Sequence, residues 1–148
     1  MRTIETLHRS GVAVTPETTI KAAAGVMEHA GVGALAVVDD DRLVGIVTDR
    51  DLVRRALARG LPPDSRVDGV MTAPVVTVDV NADVHSVFAL LRTHAVRRIP
   101  VVRGRQFVGM LTIDDLIIEL AGDLADLARP ITAEALFAHR ETPLPTTQ

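Results

Sequence analysis

The sequence predicts an α/β fold of two tandem repeats, each strand–helix–strand–strand–helix, packed sheet to sheet with pseudo-twofold symmetry. Three observations carry this. First, the segment from Val12 to Leu57 aligns without a gap on Val76 to Ala121, at the offset of 64 residues that separates Gly45 from Gly109. Identities fall at Val12, Val14, Val32, Val37, Val38, Val44, Gly45, Thr48, Asp51 and Leu52, and pairs such as Ile20/Val84, Met27/Leu91, Leu35/Ile99, Leu43/Phe107 and Val53/Ile117 stay apolar. Second, each copy switches between helical spacing (Ile20, Ala23, Ala24, Met27) and short apolar runs bounded by turn residues. Third, a three-stranded sheet is marginal by itself, so two copies are expected to form one module. The boundaries are 1–60 for the first domain, 61–65 for a linker, 66–122 for the second domain and 123–148 for a helical tail with a frayed end.

Residues 1–11 read as a lead-in, with Arg66 to Val75 as its counterpart. Strand Val12 to Val14 ends at Thr15-Pro16, and a helix from about Thr18 to His29 is broken by Gly31-Val32-Gly33. Strand Leu35 to Val38, the turn Asp39-Asp40-Asp41 and strand Leu43 to Val47 form a hairpin. A helix from Thr48 to about Arg59 follows, with Leu52, Val53, Ala56 and Leu57 expected on its inner face, until Gly60 and Pro62-Pro63 stop it. The second copy gives strand Val75 to Val78, helix Asp83 to His94, strands Ile99 to Val102 and Phe107 to Leu111, and helix Thr112 to Ala121. Asp123 to Arg129 continues helical, Pro130 interrupts, Thr132 to His139 adds another helix, and Thr142 to Gln148 frays.

Composition narrows the function classes. A chain of 148 residues, 47% apolar, can bury one good core or two small ones. The absence of Cys excludes disulfides and fits a reducing compartment. Met1 to Ser10 lacks a signal-peptide core and no apolar run reaches membrane-spanning length, so a soluble, cytoplasmic protein is expected. Net charge of −3, no Trp or Tyr, and Phe only at Phe88, Phe107 and Phe137 argue against nucleic acid as a partner. His8, His29, His85, His94 and His139 share no metal-ligand spacing, and the acidic triplet reads as a turn. No nucleophile–base pair or complete phosphate loop supports an enzyme, and Asp114 and Asp115, adjacent on a helix, point in different directions.

The informative stretch is Gly45-Ile46-Val47-Thr48-Asp49-Arg50-Asp51 and its echo Gly109-Met110-Leu111-Thr112-Ile113-Asp114-Asp115. Each reads as a strand end opening into a helix, where free N–H groups suit an anion and an Asp can accept hydrogen bonds from a ribose diol. Thr-x-x-Asp is equally a capping box that needs no ligand. Duplication in matching context favours the nucleotide seat.

These two stretches, with Val70-Met71-Thr72 and Arg98-Ile99-Pro100-Val101-Val102, make the chain resemble a tandem pair of CBS domains, or Bateman module, of the small stand-alone bacterial kind. The resemblance covers about residues 1–122. It implies a non-catalytic, ligand-sensing regulatory module that binds AMP, ADP or ATP (with Mg²⁺ where the ligand is ATP), or in some members NAD or S-adenosylmethionine. It also implies a disc-like homodimer acting on a regulated protein that the sequence does not name. Carried over by position, Asp51 and Asp115 hold ribose, while Thr48 and Thr112 contact ribose or phosphate. Thr15, Thr77, Val78, Ala36, Ile99 and Pro100 flank the adenine, and Arg98, Arg97 and Arg50 neutralise phosphate. Because Arg97-Arg98-Ile99-Pro100 replaces Gly33-Ala34-Leu35-Ala36, the Asp115 cleft ranks first for an anionic ligand, with the phosphate allowed to reach across to the other copy. The Asp51 cleft is left to a less charged ligand or to none. The alternative is a dimerisation scaffold with vestigial nucleotide seats.

Overall fold

The computed structural model describes residues 3–138. The chain divides into two compact units, Met1–Ile113 and Asp114–Gln148. The first holds strands β1 (Ala13–Val14), β2 (Ala34–Asp39), β3 (Arg42–Thr48), β4 (Val78–Asp79), β5 (Arg98–Arg103) and β6 (Gln106–Thr112). It also holds helices α1 (Ile20–Ala30), α2 (Asp49–Asp51) and α3 (Val84–His94). The second unit is carried by α4 (Ile113–Ala138), which begins at the last residue of the first.

The strand order β1-β2-β3-β6-β5-β4 is a palindrome, as a pseudo-twofold axis between β3 and β6 requires. The halves join in the sheet at the pair Arg42–Gln106. In each half the lead strand is parallel to the central strand and the hairpin is antiparallel. Both hairpins bulge at the same repeat position, between Val37 and Val38 and between Val101 and Val102. Asp40 and Asp41 both take left-handed backbone, which a tight two-residue hairpin demands and Asp tolerates.

The helix ends repeat as well. Thr19 caps α1 by accepting from the Ala22 N–H, and Asp83 caps α3 by accepting from the Ser86 N–H. The Ser86 N–H and hydroxyl together hold the Asp83 carboxyl below its ordinary value. Gly31 closes α1 in the left-handed region at φ 66°, and its counterpart closing α3 at φ 52° is Ala95.

Each lead-in docks on the opposite repeat. Around the 3₁₀ turn Ile4–Thr6, the N–H groups of Ile4 and Glu5 donate to the Ala82 and Val80 carbonyls, while the turn Val67–Gly69 hangs from Thr18 and Pro16. Arg9 then pairs with Met110 on β6, and Thr72 with Ile46 on β3, each by two reciprocal hydrogen bonds. The exchanged Val67 and Val70 sit in the first repeat's core with Val14, Met27, Leu35, Val37 and Val47. Ile4 and Val67 are fully buried, and each such side chain is worth about 1.5–3 kcal/mol. This crossing explains Gly45 and Gly109. A Cβ on Gly45 would collide with the Met71 sulfur and lie 3.1 Å from the Thr72 carbonyl oxygen, and one on Gly109 would overlap His8 Nδ1 and the Arg9 carbonyl oxygen.

Three element expectations need correction. The second lead strand starts at Val78 rather than Val75. In the first repeat the Ala36 N–H donates to the Val12 carbonyl, and the equivalent residue, Pro100, has no N–H to give. The helix after Thr48 is α-helical only over Asp49–Asp51 and continues as a π-helix, Leu52–Leu57, in which the Ala58 N–H reaches the Val53 carbonyl. Of its expected inner face Ala56 is buried, whereas Val53 and Leu57 are 55% and 77% exposed, because they lie one residue round from the Leu52/Ala56 face. Pro130 lies inside α4 rather than ending a helix. Its fixed φ is itself helical, although inside a helix it removes one N–H and crowds the carbonyl four residues back, which makes this turn a costly one. The frayed end expected over Thr142 to Gln148 lies outside the described residues.

Gly45→Ala and Gly109→Ala are each expected to destabilise the fold by about 1–3 kcal/mol, measured by urea denaturation, because backbone and side chain of the crossing segment must move. Ala95→Gly is expected to raise stability by up to about 1 kcal/mol in the same assay, since only the alanine meets the left-handed penalty.

Candidate functional site

The residues that follow Thr48 and Thr112 are tied to the sheet alike. The Asp49 N–H donates to the Gly33 carbonyl at 3.0 Å, and at the same repeat position the Ile113 N–H donates to the Arg97 carbonyl at 2.9 Å. The start of each central strand is thereby tied to the start of the helix after the hairpin. Ala34 stands opposite Thr48 in the sheet, and Arg98 opposite Thr112.

In the first copy the capping box is complete. Thr48 Oγ1 accepts from the Asp51 N–H at 3.1 Å, and Asp51 Oδ2 accepts from the Thr48 N–H at 3.0 Å. Asp51 Oδ1 lies 3.7 Å from Arg55 Nε, and the Asp51 side chain is 16% exposed. Arg55 Nη1 also donates to the carbonyls of Val70 and Met71, so Asp51 is linked through Arg55 to the crossing lead-in. The carboxylate is thus oriented from two sides. In the second copy Thr112 ends β6 in the first unit. Asp115, in the second unit, occupies the first turn of α4 beside Asp114. Glu119 replaces Arg55 in this copy, which reverses the charge one helical turn beyond the Asp.

Arg98, expected to neutralise phosphate, reaches between the copies. Its guanidinium reaches the first repeat, where Nη1 donates to the Gly33 carbonyl at 3.4 Å. A Cβ on Gly33 would sit 3.3 Å from Arg98 Nη2 and 3.0 Å from Asp49 Oδ2, so the bare glycine makes room for both. The physical cause is that Arg98 opens β5 with its side chain exposed, free to reach across the repeats. Arg98 thus stands at the first copy of the motif.

The remaining candidates divide by burial. Ala36, Ile99, Pro100 and Val78 are buried in the sheet. Thr15 is exposed and its hydroxyl lies 3.1 Å from that of Thr18. Thr77 is half-buried and lines a cavity at the hairpin end of the sheet. Arg50 and Arg97 are exposed; the Arg50 N–H donates to Asp49 Oδ1. Sequence reasoning missed Gly33, Asp49 and Arg55. Arg55 had a signal, its spacing of one helical turn from Asp51.

The CBS domain family matches the chain twice, over residues 4–58 and 67–122. The chain belongs to the CBS domain family. YlbB of Bacillus subtilis is 41% identical over 125 residues, covering 79% of this chain and 84% of YlbB. Hypoxic response protein 1 of Mycobacterium tuberculosis is 37% identical over 119 residues, covering 78% and 83%. Among solved structures, the CBS domain protein PAE2072 from Pyrobaculum aerophilum complexed with AMP superposes with a TM-score of 0.70 at 30% identity, covering 82% of this chain and 99% of that one.

Thr48→Ala is expected to lower unfolding stability by about 1 kcal/mol. Arg55→Ala, at a half-exposed ion pair, is expected to cost under about 1 kcal/mol. Denaturant midpoints of the two variants against the parent chain check the pair.

Proposed function

We propose that this protein is a ligand-sensing regulatory module that takes an adenosine nucleotide of the AMP, ADP or ATP class at the Thr48–Asp51 turn. The observation that carries the reading is Arg98 of the second repeat standing over Gly33 and Asp49 of the first, beside a Thr-x-x-Asp turn whose Asp is held in place. Asp51 Oδ1 offers acceptor capacity to a ribose diol, and Arg98 offers its guanidinium to a phosphate. A nucleotide taking both would link the two repeats at a point where Arg98 Nη1 and the Gly33 carbonyl make a long hydrogen bond. Any resulting shift is bounded by the ligand's differential affinity for the two arrangements. The AMP complex of a relative at 30% identity supports the ligand class. A second seat at Thr112 and Asp115 is proposed on the duplication of the motif alone.

The working form is proposed to be a cytoplasmic homodimer. Val53, Leu57 and Leu61 are exposed on the first unit, and Ile117, Ile118, Leu124 and Leu127 on the second. Apolar exposure on each unit suits burial against another copy.

Thermal unfolding with AMP, ADP and ATP tests the ligand. A concentration-dependent rise is expected, equivalent to about 2.7 kcal/mol at a hundredfold excess over Kd. Arg98→Gln, an exposed substitution, should weaken AMP affinity by about tenfold or more while leaving the unliganded melting temperature unchanged. An unmoved melting curve at millimolar nucleotide would overturn the reading in favour of the scaffold.

A further inference from the structure

A cavity of about 440 Å³ opens at the hairpin end of the sheet, lined by Arg42, Leu43, Val44, Pro74, Val75, Thr77, Val102, Gly104 and Arg105. That size falls in the ordinary range for small-molecule sites. Of the residues that the resemblance assigns to the nucleotide, Thr77 lines it, while Thr48, Asp51 and Arg98 do not. Arg42 and Thr48 begin and end the seven-residue strand β3, about 20 Å apart at the usual rise per residue. The Arg42 end of the cavity therefore lies away from the Thr48–Asp51 turn.

Duplication explains why the space exists. Under the repeat offset Leu43 corresponds to Phe107 and Val75 to Gly11. On the Phe107 side the ring packs so tightly on Gly11 that a Cβ there would overlap ring carbon Cζ and lie 3.1 Å from Cε1. On the Leu43 side the aromatic ring is gone. The β-bulge beside Val38 aims both Leu43 and Val44 at the vacated space. The walls contributed by Leu43, Val44, Val75 and Val102 are apolar, and Thr77 supplies a hydroxyl.

Two cations belong to the lining. These are Arg42 and Arg105, and among the described residues neither side chain makes an ion pair or hydrogen bond. The acidic turn Asp39-Asp40-Asp41 precedes Arg42 but contributes no lining residue. Two guanidinium groups in one lining repel each other, and a carboxylate between them removes that repulsion with charge-assisted hydrogen bonds.

We propose that this cavity binds a small amphipathic carboxylate, with its head group between Arg42 and Arg105 and its apolar body against Leu43, Val44 and Val75. Octanoate is the probe, followed by amide chemical shifts of the whole chain. Saturable shifts centred on residues 43–44, 75–77 and 102–105 are expected. Acetate (head without body) and octanol (body without head) should each bind at least about tenfold more weakly, as should the double variant Arg42→Gln/Arg105→Gln. These arginines are exposed, so the double variant should fold, and a parent-like spectrum checks it. Leu43→Phe, which restores the ring of the other repeat, should abolish octanoate binding and leave the AMP response intact. Four results would overturn the proposal: no saturable shift at millimolar octanoate, equal binding of octanol, shifts centred on Val53 and Leu57 instead, or displacement of octanoate by AMP. Failure of AMP to bind, with octanoate still bound, would count against the nucleotide reading alone.

Discussion

The fold rests on an exchange between its two halves. Val67 and Val70, which open the second repeat, complete the core of the first, while Ile4 is buried where its neighbours bond to the segment around Val80 and Ala82. The chain must cross over β3 and over β6 to do this, and at each crossing only a residue without a side chain lets the backbones meet. Hydrophobic burial on this scale is a large share of the marginal stability of a small domain. The glycine that begins the duplicated motif is therefore explained by the crossing, while its Thr and Asp serve the helix start and the site beside it.

Much of this was legible in the sequence. The gap-free repeat gave the order of elements, and the hairpin turn at Asp40-Asp41 fell where local chemistry put it. The exchange was hidden because the lead-ins obey a different offset: Val67 follows Ile4 by 63 residues, whereas Gly109 follows Gly45 by 64. The shortened strand before Pro100 had a readable cause, the missing N–H. The π-helical winding of Leu52–Leu57 had none, since its residues are ordinary helix formers in an α-helical pattern. Arg98 was placed by sequence neighbourhood, and a long side chain at a strand end is governed by what lies across from it in space.

Divergence between the copies reaches the cavity and the turns. Arg55 becomes Glu119, Ala34 becomes Arg98, Leu43 becomes Phe107 and Ala36 becomes Pro100, on a backbone that keeps its register and even its bulges. A shared scaffold with unequal linings gives two chemically different environments from one fold, the arrangement expected when duplicated sites specialise.

The crossing lead-ins also bear on how copies of this chain can become entangled. Each half is completed by a short segment that arrives from elsewhere in the chain, and the same segment from a neighbouring molecule presents identical chemistry. When the connection at Pro62-Pro63 is opened, intertwined pairs and closed monomers use the same contacts and differ chiefly in concentration dependence. Domain swapping is thus a short step for this architecture.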